Sequence, residues 1–366
     1  MLLRSPRVSR SEFEAGTGWH LKAEGACQGD VCIPLSQPAG DVVDVARVAQ
    51  DIGMPLVAAA EHGLWALGPA SIGSRALASA EAPDLRLPDL ESNEFRLSSL
   101  RGQKLLLYAW APYCGCSRDL PVWQSLRNEL HPRGFELVTV GLDALGGAGC
   151  SAFIEAAQPE HPSLIDRHHV LAELFGVINI PSSVWINENG IIVRPAEAAP
   201  APPQAATTPP RVSLPRDGPP RFAEMAGEAV KIKRDAQAYH AALRDWVEHG
   251  AASRFALSAD EVMARSRPRD DAKARGHAHF QLATQLEADG HHEAAVQHFR
   301  EAHRLVPDSW TFRRQAWSLE KVGEGPLARF WQGPDPDAPD AWPYEGDWLS
   351  DVRKVGAENY SEPWRP

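Results

Sequence analysis

Apolar and amphipathic stretches alternate through the middle of the chain, between residues 83 and 194. Short, almost wholly apolar runs are typical of strands buried in a sheet, and apolar residues at helical spacing are typical of helices packed on it. The lead-in at 82–104 predicts a short hairpin, and the apolar runs predict strands at 105–111 and 135–143 and around the turn-forming pair Asn189-Gly190. The amphipathic stretches predict helices at 116–130 and 168–177, and the glycine-rich stretch that ends at Cys150 predicts a loop. Strands that alternate with helices predict an α/β domain whose sheet is covered on both faces.

A second α/β pattern occupies residues 1–80. Two short extended runs precede the apolar-periodic stretch 42–49, which suits a helix. Residues 55–58 and 64–67 flank Glu61-His62-Gly63 and predict a hairpin. We expect a small α/β domain whose role the sequence does not indicate.

Composition changes sharply at 195–220, where nine prolines stand among small residues. Such a stretch has little to bury and too many fixed φ angles for a helix, so it predicts an extended linker. Residues 221–330 return to helical spacing, and Ser258-Ala259-Asp260-Glu261 predicts a capping box at a helix start. The remaining 331–366, rich in Trp, Pro, Asp and Gly, predict an irregular tail pinned by aromatic rings.

One stretch of the helical region has a repeat-like spacing. Small residues, a turn glycine and a terminal proline occur at Ala283, Gly290, Ala295, Phe299, Ala302 and Pro307. Over residues 276–309 the chain resembles a single tetratricopeptide repeat. One unit cannot bury both of its faces, so we expect it to pack on its helical neighbours, including 310–321. The helical region is a candidate surface for a protein partner.

Charge and cysteine content exclude several classes of protein. The net charge is −11 and no Lys/Arg-rich stripe occurs, which argues against a nucleic-acid partner. No apolar run has the length of a membrane span or a signal peptide, so we expect no membrane partner and a cytoplasmic location. Five cysteines, an odd number, do not indicate a secreted disulfide framework. In a reducing compartment such cysteines are more often catalytic or metal-binding.

Cys114 and Cys116 follow the first buried strand directly and precede an amphipathic helix. A thiolate, not a thiol, attacks disulfides and peroxides, and the N–H groups at a helix start stabilise that anion. We therefore expect Cys114 to be the more reactive thiol and Cys116 its helper. Trp110 and Tyr113 are candidates for shaping the site, although core packing alone would explain Trp110.

Three features of the chain resemble the thioredoxin fold of the redoxins, the TlpA/ResA-like thiol-disulfide oxidoreductases. They are the order of the elements, the sequence Trp110-Ala111-Pro112-Tyr113-Cys114 at the strand-to-helix turn, and Ile180-Pro181 before a later strand. This resemblance implies an α/β thioredoxin-like domain at 83–194, flanked by the N-terminal α/β domain and the α-helical, tetratricopeptide-like region. It implies that Pro181 is a cis-proline opposite the cysteine. We expect no cofactor, no metal, and electrons from a thioredoxin or a low-molecular-weight thiol.

This chain departs from the family at the second cysteine, because Ser117 stands where the family has its resolving thiol. A hydroxyl cannot form a disulfide, and we expect it to donate a hydrogen bond to a neighbouring thiolate. Three interpretations remain open. Cys114 and Cys116 form a strained, easily reduced disulfide; or Cys114 works alone as a peroxidase or monothiol centre; or the Cys-Gly-Cys unit holds a soft metal. The candidate resolving or metal-binding cysteines elsewhere are Cys27, Cys32 and Cys150. A non-catalytic scaffold is the alternative outside enzymes, since fold alone does not decide activity.

Overall fold

The structure is a computed structural model that describes residues 1–28, 31–71, 74–203, 220–324, 327–361 and 364. It contains two compact units, each built from two segments of the chain. The first unit comprises Met1–Ala78 and Arg267–Ser309, and the second comprises Ser79–Ser266 and Trp310–Pro366.

The strands are β1 Leu2–Leu3, β2 Arg7–Ser9, β3 His20–Lys22, β4 Gly25–Gln28, β5 Val31–Ile33, β6 Val42–Asp44, β7 Leu56–Ala59, β8 Leu64–Leu67, β9 Arg86–Pro88, β10 Glu94–Arg96, β11 Lys104–Trp110, β12 Phe135–Leu142, β13 Ser163–Asp166, β14 Ser182–Ile186 and β15 Ile192–Ala198. The helices are α1 Arg10–Thr17, α2 Val45–Asp51, α3 Leu120–Leu130, α4 Gly147–Ala157, α5 Val170–Phe175, α6 Pro220–Ala229, α7 Ala236–His249, α8 Ala259–Arg265, α9 Asp271–Ala288, α10 His292–Leu305, α11 Trp310–Leu319 and α12 Trp348–Val355. Among the described residues, no helix combines the length and the apolar character that crossing a bilayer requires.

A five-stranded sheet in the order β13-β12-β11-β14-β15 forms the centre of the second unit. Every residue of β11 and β12 is buried, as expected for apolar strands in the middle of a sheet. β11 runs parallel to β12 and antiparallel to β14, with Ala109 paired to Ser182. This register places the loop that follows β11 beside the loop that precedes β14, and these loops carry the candidate site.

Most elements predicted for 83–194 are confirmed, and two were missed. The glycine-rich stretch around Cys150, interpreted as a loop, begins helix α4, because the residues after the glycines are mostly helix formers. Strand β13 was also missed, since it is only four residues long. β15 continues to Ala198, so the start of the predicted linker is an edge strand, where a proline is tolerated. The part of that linker at 204–219 lies outside the described residues.

In the first unit, the predicted hairpin is present as β7 and β8, which pair around a short 3-10 turn. The helix predicted at 42–49 begins only at Val45, because Val42–Asp44 is strand β6 and the Asp44 side chain caps the helix by accepting from the Arg47 N–H. Helix α1 was not predicted. A core of buried aliphatic and aromatic residues, including Phe13 and Trp19, joins these elements.

The repeat-like stretch forms the helical hairpin of α9 and α10. The two helices approach closely at Gly276, where an added Cβ would lie 2.3 Å from Val306 Cγ2. Helix α9 packs on strands β7 and β8 of the same unit, whereas the sequence predicted packing on helical neighbours. Its likeness to a tetratricopeptide repeat stays a prediction, as do the predicted domain boundaries.

The C-terminal residues are more regular than predicted. Helix α12 lies within the stretch interpreted as irregular, and Asp347 begins it with a capping box that includes Ser350. Upstream, the capping box predicted at Ser258 and Glu261 is present at the start of α8. The sequence from 221 to 250 is two helices, α6 and α7, rather than one continuous pattern.

Candidate thiol site

Cys114 lies where the chain leaves the central strand β11 and begins the helical segment that leads into α3. It is the residue before a 3-10 turn at Gly115–Asp119, and its Sγ accepts a hydrogen bond from the Cys116 N–H at 3.4 Å. An N–H group at a helix start has no partner within the helix, so it is free to stabilise an anion. The predicted position of Cys114 at this turn is confirmed.

The Ile180–Pro181 peptide bond is cis, as the resemblance implied. Cys114 Sγ lies 3.9 Å from the carbonyl oxygen of Ile180. The Asn179 side chain fixes this loop by accepting from the Ile180 N–H at 2.9 Å. The β11–β14 register thus brings the thiol and the proline loop together, although they are 66 positions apart in the chain.

A buried arginine stands beside the thiol on the other side. Arg314, on α11, is 6% exposed. Its guanidinium donates to the carbonyl oxygen of Tyr113 at 3.0 Å, to the Tyr360 hydroxyl at 2.9 Å and to Gln332 Oε1 at 3.0 Å. Gln332 Nε2 donates to the same Tyr113 oxygen at 2.9 Å. A permanent positive charge is thereby held next to the turn that carries Cys114.

Burial alone would raise the pKa of the Cys114 thiol, because a thiolate loses its hydration there. The hydrogen bonds from Cys116 and the positive charges of Arg314 and Arg234 outweigh that effect, and the pKa of Cys114 falls to about 5. Burial and the neighbouring Cys114 raise the pKa of Cys116 well above its ordinary value. The arrangement therefore places the negative charge on Cys114 and keeps the proton on Cys116.

Asp119, at the end of the same turn, is a titratable group that the sequence did not single out. Burial, followed by the charge of Cys114, raises its pKa to about 7, while Arg234 and Arg118 act to lower it. The negative charge of Asp119 also contributes to raising the pKa of Cys116. A carboxyl group that titrates near neutral pH can accept or return a proton beside the two thiols.

The other predicted site residues lie close by, with one different contact. Ser117 was expected to offer its hydroxyl to a thiolate, but its Oγ donates to the Cys114 carbonyl oxygen at 2.9 Å, which is the geometry that a helical i+3 spacing favours. The ring of Tyr113 faces the guanidinium carbons of Arg314 and Arg329 at 5.8 and 5.6 Å. Trp110 is fully buried and packs edge-on against Phe153.

The remaining three cysteines lie in different surroundings. Cys150 is a free, fully buried thiol on α4, and burial raises its pKa well above the ordinary value. Cys27 and Cys32 are joined in a disulfide across strands β4 and β5, where they are direct register partners. Glu24 lies near both sulfur atoms. Because those sulfurs are bonded to each other, this group could bind a metal through thiolates only after reduction.

Residues 78–194 match the AhpC/TSA family. Thiol-disulfide oxidoreductase ResA of Halalkalibacterium halodurans is 29% identical over 122 residues, which are 33% of this chain and 69% of that protein. Thiol-disulfide oxidoreductase ResA of Geobacillus thermodenitrificans is 31% identical over 110 residues, 30% of this chain and 63% of that protein. Among solved structures, a thioredoxin family thiol:disulfide interchange protein of Chlorobium tepidum TLS is 18% identical, with a TM-score of 0.29, over 31% of this chain and 82% of that one.

The matched part of the chain is thus an AhpC/TSA thioredoxin-like domain with thiol-disulfide oxidoreductase homologues. It contains Cys114, Cys116, Cys150 and Pro181. The Cys27–Cys32 disulfide lies outside the match, and so do Arg314 and two of its partners, Gln332 and Tyr360. Those residues were missed because they follow the domain by more than a hundred positions. The available signal was an arginine pair in helix α11, between aromatic residues on both sides.

Proposed function

We propose that this chain is a thiol-disulfide oxidoreductase in which Cys114 is the nucleophile. The observation that carries the proposal is the placement of Cys114 between the Cys116 N–H, the cis-proline loop and the buried Arg314. Hydrogen bonds and a nearby cation stabilise a thiolate and make it available at neutral pH. The thiol-disulfide oxidoreductase homologues of the same domain support the proposal.

In the proposed reaction, the Cys114 thiolate attacks one sulfur of a substrate disulfide. A disulfide forms between Cys114 and that half of the substrate, and the other half leaves as a thiolate that takes a proton from water. Cys116 then loses its proton, with Asp119 as the nearby acceptor, and attacks the Cys114 sulfur. The substrate leaves fully reduced, and the two cysteines are oxidised to a disulfide that an external thiol must reduce.

The pH dependence of alkylation tests this proposal on the full chain with the Cys27–Cys32 disulfide intact. The protein is treated with iodoacetamide at a series of pH values, and peptide mass mapping locates the modified cysteine. We expect Cys114 to react with a midpoint near pH 5, whereas Cys116 and Cys150 react only in alkali. Three thiols that titrate together at alkaline pH would overturn the proposal. Cys114→Ser is the control that identifies the acidic midpoint.

One observation favours a second candidate, a thiol peroxidase. Cys114 and Cys116 are both free and separated by a single residue, a spacing at which a disulfide between them is harder to form. Attack of the thiolate on hydrogen peroxide would break the O–O bond and give a Cys114 sulfenic acid and hydroxide, which takes a proton from solvent to become water. A second thiol would then form a disulfide with Cys114, with loss of another water. Reduced protein that consumes peroxide faster than any disulfide would favour this candidate.

The electron donor is, in our proposal, a thioredoxin or a low-molecular-weight thiol, because the catalytic disulfide needs a thiol to reduce it. We also propose that the helical hairpin of α9 and α10 is a tetratricopeptide-like unit that binds a protein.

A cytoplasmic location is proposed on the three free thiols, and the Cys27–Cys32 disulfide is the observation against it. Cell fractionation with thiol trapping tests the location.

A further inference from the structure

A cavity of about 450 Å³ lies in the second unit beside the cis-proline loop. Four segments line it: the loop itself at 180–181, the end of the edge strand at 198–200, the residues before α7 at 233–235, and the C-terminal residues Tyr360, Ser361 and Trp364. Only the first segment lies within residues 78–194. This chain has therefore added walls of its own next to the thioredoxin-like site.

The cavity has an apolar floor and a positively charged rim. Ile180, Pro181 and the 198–200 segment offer no charged side chain, whereas Lys233 and Arg234 are exposed at the edge. Within the part of the chain that the structure describes, neither cation forms an ion pair. The third charged residue, Asp235, caps α7 by accepting from the Ala238 N–H at 2.9 Å, so the positive end of the helix offsets its charge.

Two residues of the cavity wall also act on the reacting sulfur. Ile180 lines the cavity and holds its carbonyl oxygen 3.9 Å from Cys114 Sγ. Arg234 lines the cavity too, and its charge acts on the Cys114 thiolate. A molecule that fills the cavity thus lies against the loop that contacts the thiol. The net charge of the chain is −11, so two cations at one cavity make this place attractive to an anionic ligand.

Size favours a small ligand over a protein. Sites for small molecules have volumes of roughly 300–1,000 Å³, and this cavity falls within that range at about 450 Å³. Cys114 is 5% exposed, so a narrow molecule that enters a recess reaches it more easily than the surface of a folded partner does.

We propose that this cavity binds an anionic low-molecular-weight disulfide, with its carboxylates against Lys233 and Arg234 and its sulfur atoms directed to Cys114. The inference rests on the proposed function and specifies its substrate class. The Cys114 thiolate attacks the nearer sulfur, a disulfide forms between Cys114 and one half of the ligand, and the other half leaves as a thiolate that takes a proton from water. No further reactant is needed for this step.

Three disulfides of different charge test the proposal on the full chain carrying Cys116→Ala, because this variant lacks the thiol that would otherwise resolve the mixed disulfide on Cys114. Oxidised glutathione is anionic, bis(2-hydroxyethyl) disulfide is neutral and cystamine is cationic at neutral pH. Intact-mass spectrometry follows the formation of the mixed disulfide on Cys114, and each rate is divided by the rate with free 2-mercaptoethanol, a reference thiol with no other charged group, which removes differences in intrinsic reactivity. We expect the normalised rate to be highest for oxidised glutathione, and the preference to shrink in high salt because salt screens charges.

Variants of neighbouring lysines assign the preference to the cavity. Lys233→Gln should lower the normalised rate with oxidised glutathione by about three- to fivefold, the effect of one exposed charge pair. The rate with the neutral disulfide should not change. The matched control is Lys231→Gln, since Lys231 is an exposed lysine two positions earlier that pairs with Glu228 and does not line the cavity.

The outcomes separate the inference from the function on which it rests. Equal normalised rates for the three disulfides, or the same loss in Lys231→Gln as in Lys233→Gln, would overturn the charged cavity while leaving Cys114 a reactive thiol. Absence of a mixed disulfide with all three compounds would overturn the proposed function as well. A charge preference that falls in Lys233→Gln and is unchanged in Lys231→Gln supports the proposal.

Discussion

The molecule contains two pairs of cysteines close in sequence, and the structure treats them in opposite ways. Cys114 and Cys116 are free thiols at the start of a helical segment, next to a buried cation. Cys27 and Cys32 are bonded to each other across two antiparallel strands, with Cys27 buried and Cys32 exposed. All four side chains are cysteines, so the difference between the two pairs comes from their surroundings.

Two features of the surroundings account for the contrast. Strand pairing places Cys27 directly opposite Cys32, and their Cα atoms are 4.1 Å apart, so the backbone already brings the two side chains together. A helical turn instead points residues i and i+2 to different sides, which leaves Cys114 and Cys116 with unequal environments. The strand pairing of Cys27 and Cys32 favours a disulfide, whereas the helical turn gives Cys114 and Cys116 different pKa values.

The largest expected effect is on turnover. Cys114→Ser should abolish the reduction of disulfide substrates, because serine cannot form the mixed disulfide. The Cys27→Ser/Cys32→Ser double variant should keep wild-type turnover. Steady-state reduction of a small disulfide with dithiothreitol as the electron source measures both. If the double variant lost turnover as Cys114→Ser does, the two pairs would act together and the contrast drawn above would fail.

The next effect concerns the resolution step. Cys116→Ala should leave Cys114 blocked as a mixed disulfide or a sulfenic acid, because the proposed second thiol is missing. Mass spectrometry after a single exposure to substrate detects the added mass. Cys150→Ala is the comparison variant: Cys150 is a fully buried free thiol whose pKa burial raises, so its loss should trap nothing. Trapping in Cys150→Ala alone would move the resolving role to Cys150.

A smaller effect is expected on the acidity of Cys114. Arg314→Met removes a positive charge that lowers the pKa of this thiol, so the pKa should rise and the midpoint of alkylation should move from about pH 5 to a higher pH. Removal of a nearby opposite charge shifts a pKa by about one unit or more. Arg313→Met, on the same helix, removes an ion pair with Asp351 instead and should leave the midpoint in place. Equal midpoints in both variants would contradict the role given to Arg314.

The sequence predicted the parts of the site that local patterns encode. Strand β11, the turn at Cys114 and the proline at 181 follow from apolar runs, a helix start and a resemblance that depends on those same residues. The cis bond and the approach of Ile180 to the thiol agree with that prediction. Cys114 and Pro181 are brought together by the pairing of β11 with β14, and this approach was implied by the resemblance and not by the apolar pattern.

The rest of the site could not be predicted, because it depends on contacts between distant segments. Arg314 reaches the Tyr113 carbonyl across 201 positions, and Gln332 reaches it across 219. The spacing of apolar residues predicts local helices and strands, and it does not predict a contact between segments so far apart in the chain. Tyr360, which anchors Arg314 through its hydroxyl, lies in the tail that composition described only as aromatic and irregular. The disulfide was missed for a different, local reason: strand β4, which carries Cys27, was not predicted, so its pairing with β5 was not predicted either.

The smallest effect should be on the local stability of the first unit. Cys27→Ser/Cys32→Ser removes a crosslink that closes a short loop, and short loops restrict the unfolded chain less than long ones, so the loss should be about 2 kcal/mol. Amide hydrogen exchange in peptides that cover β4 and β5 measures this loss where it arises, whereas exchange around Cys114 should not change. Wild-type protein treated with a reductant should show the exchange rates of the double variant, because reduction removes the same bond. If reduction accelerated exchange around Cys114 and left β4 and β5 unaffected, Cys27–Cys32 would not be the structural pair that its strand pairing indicates.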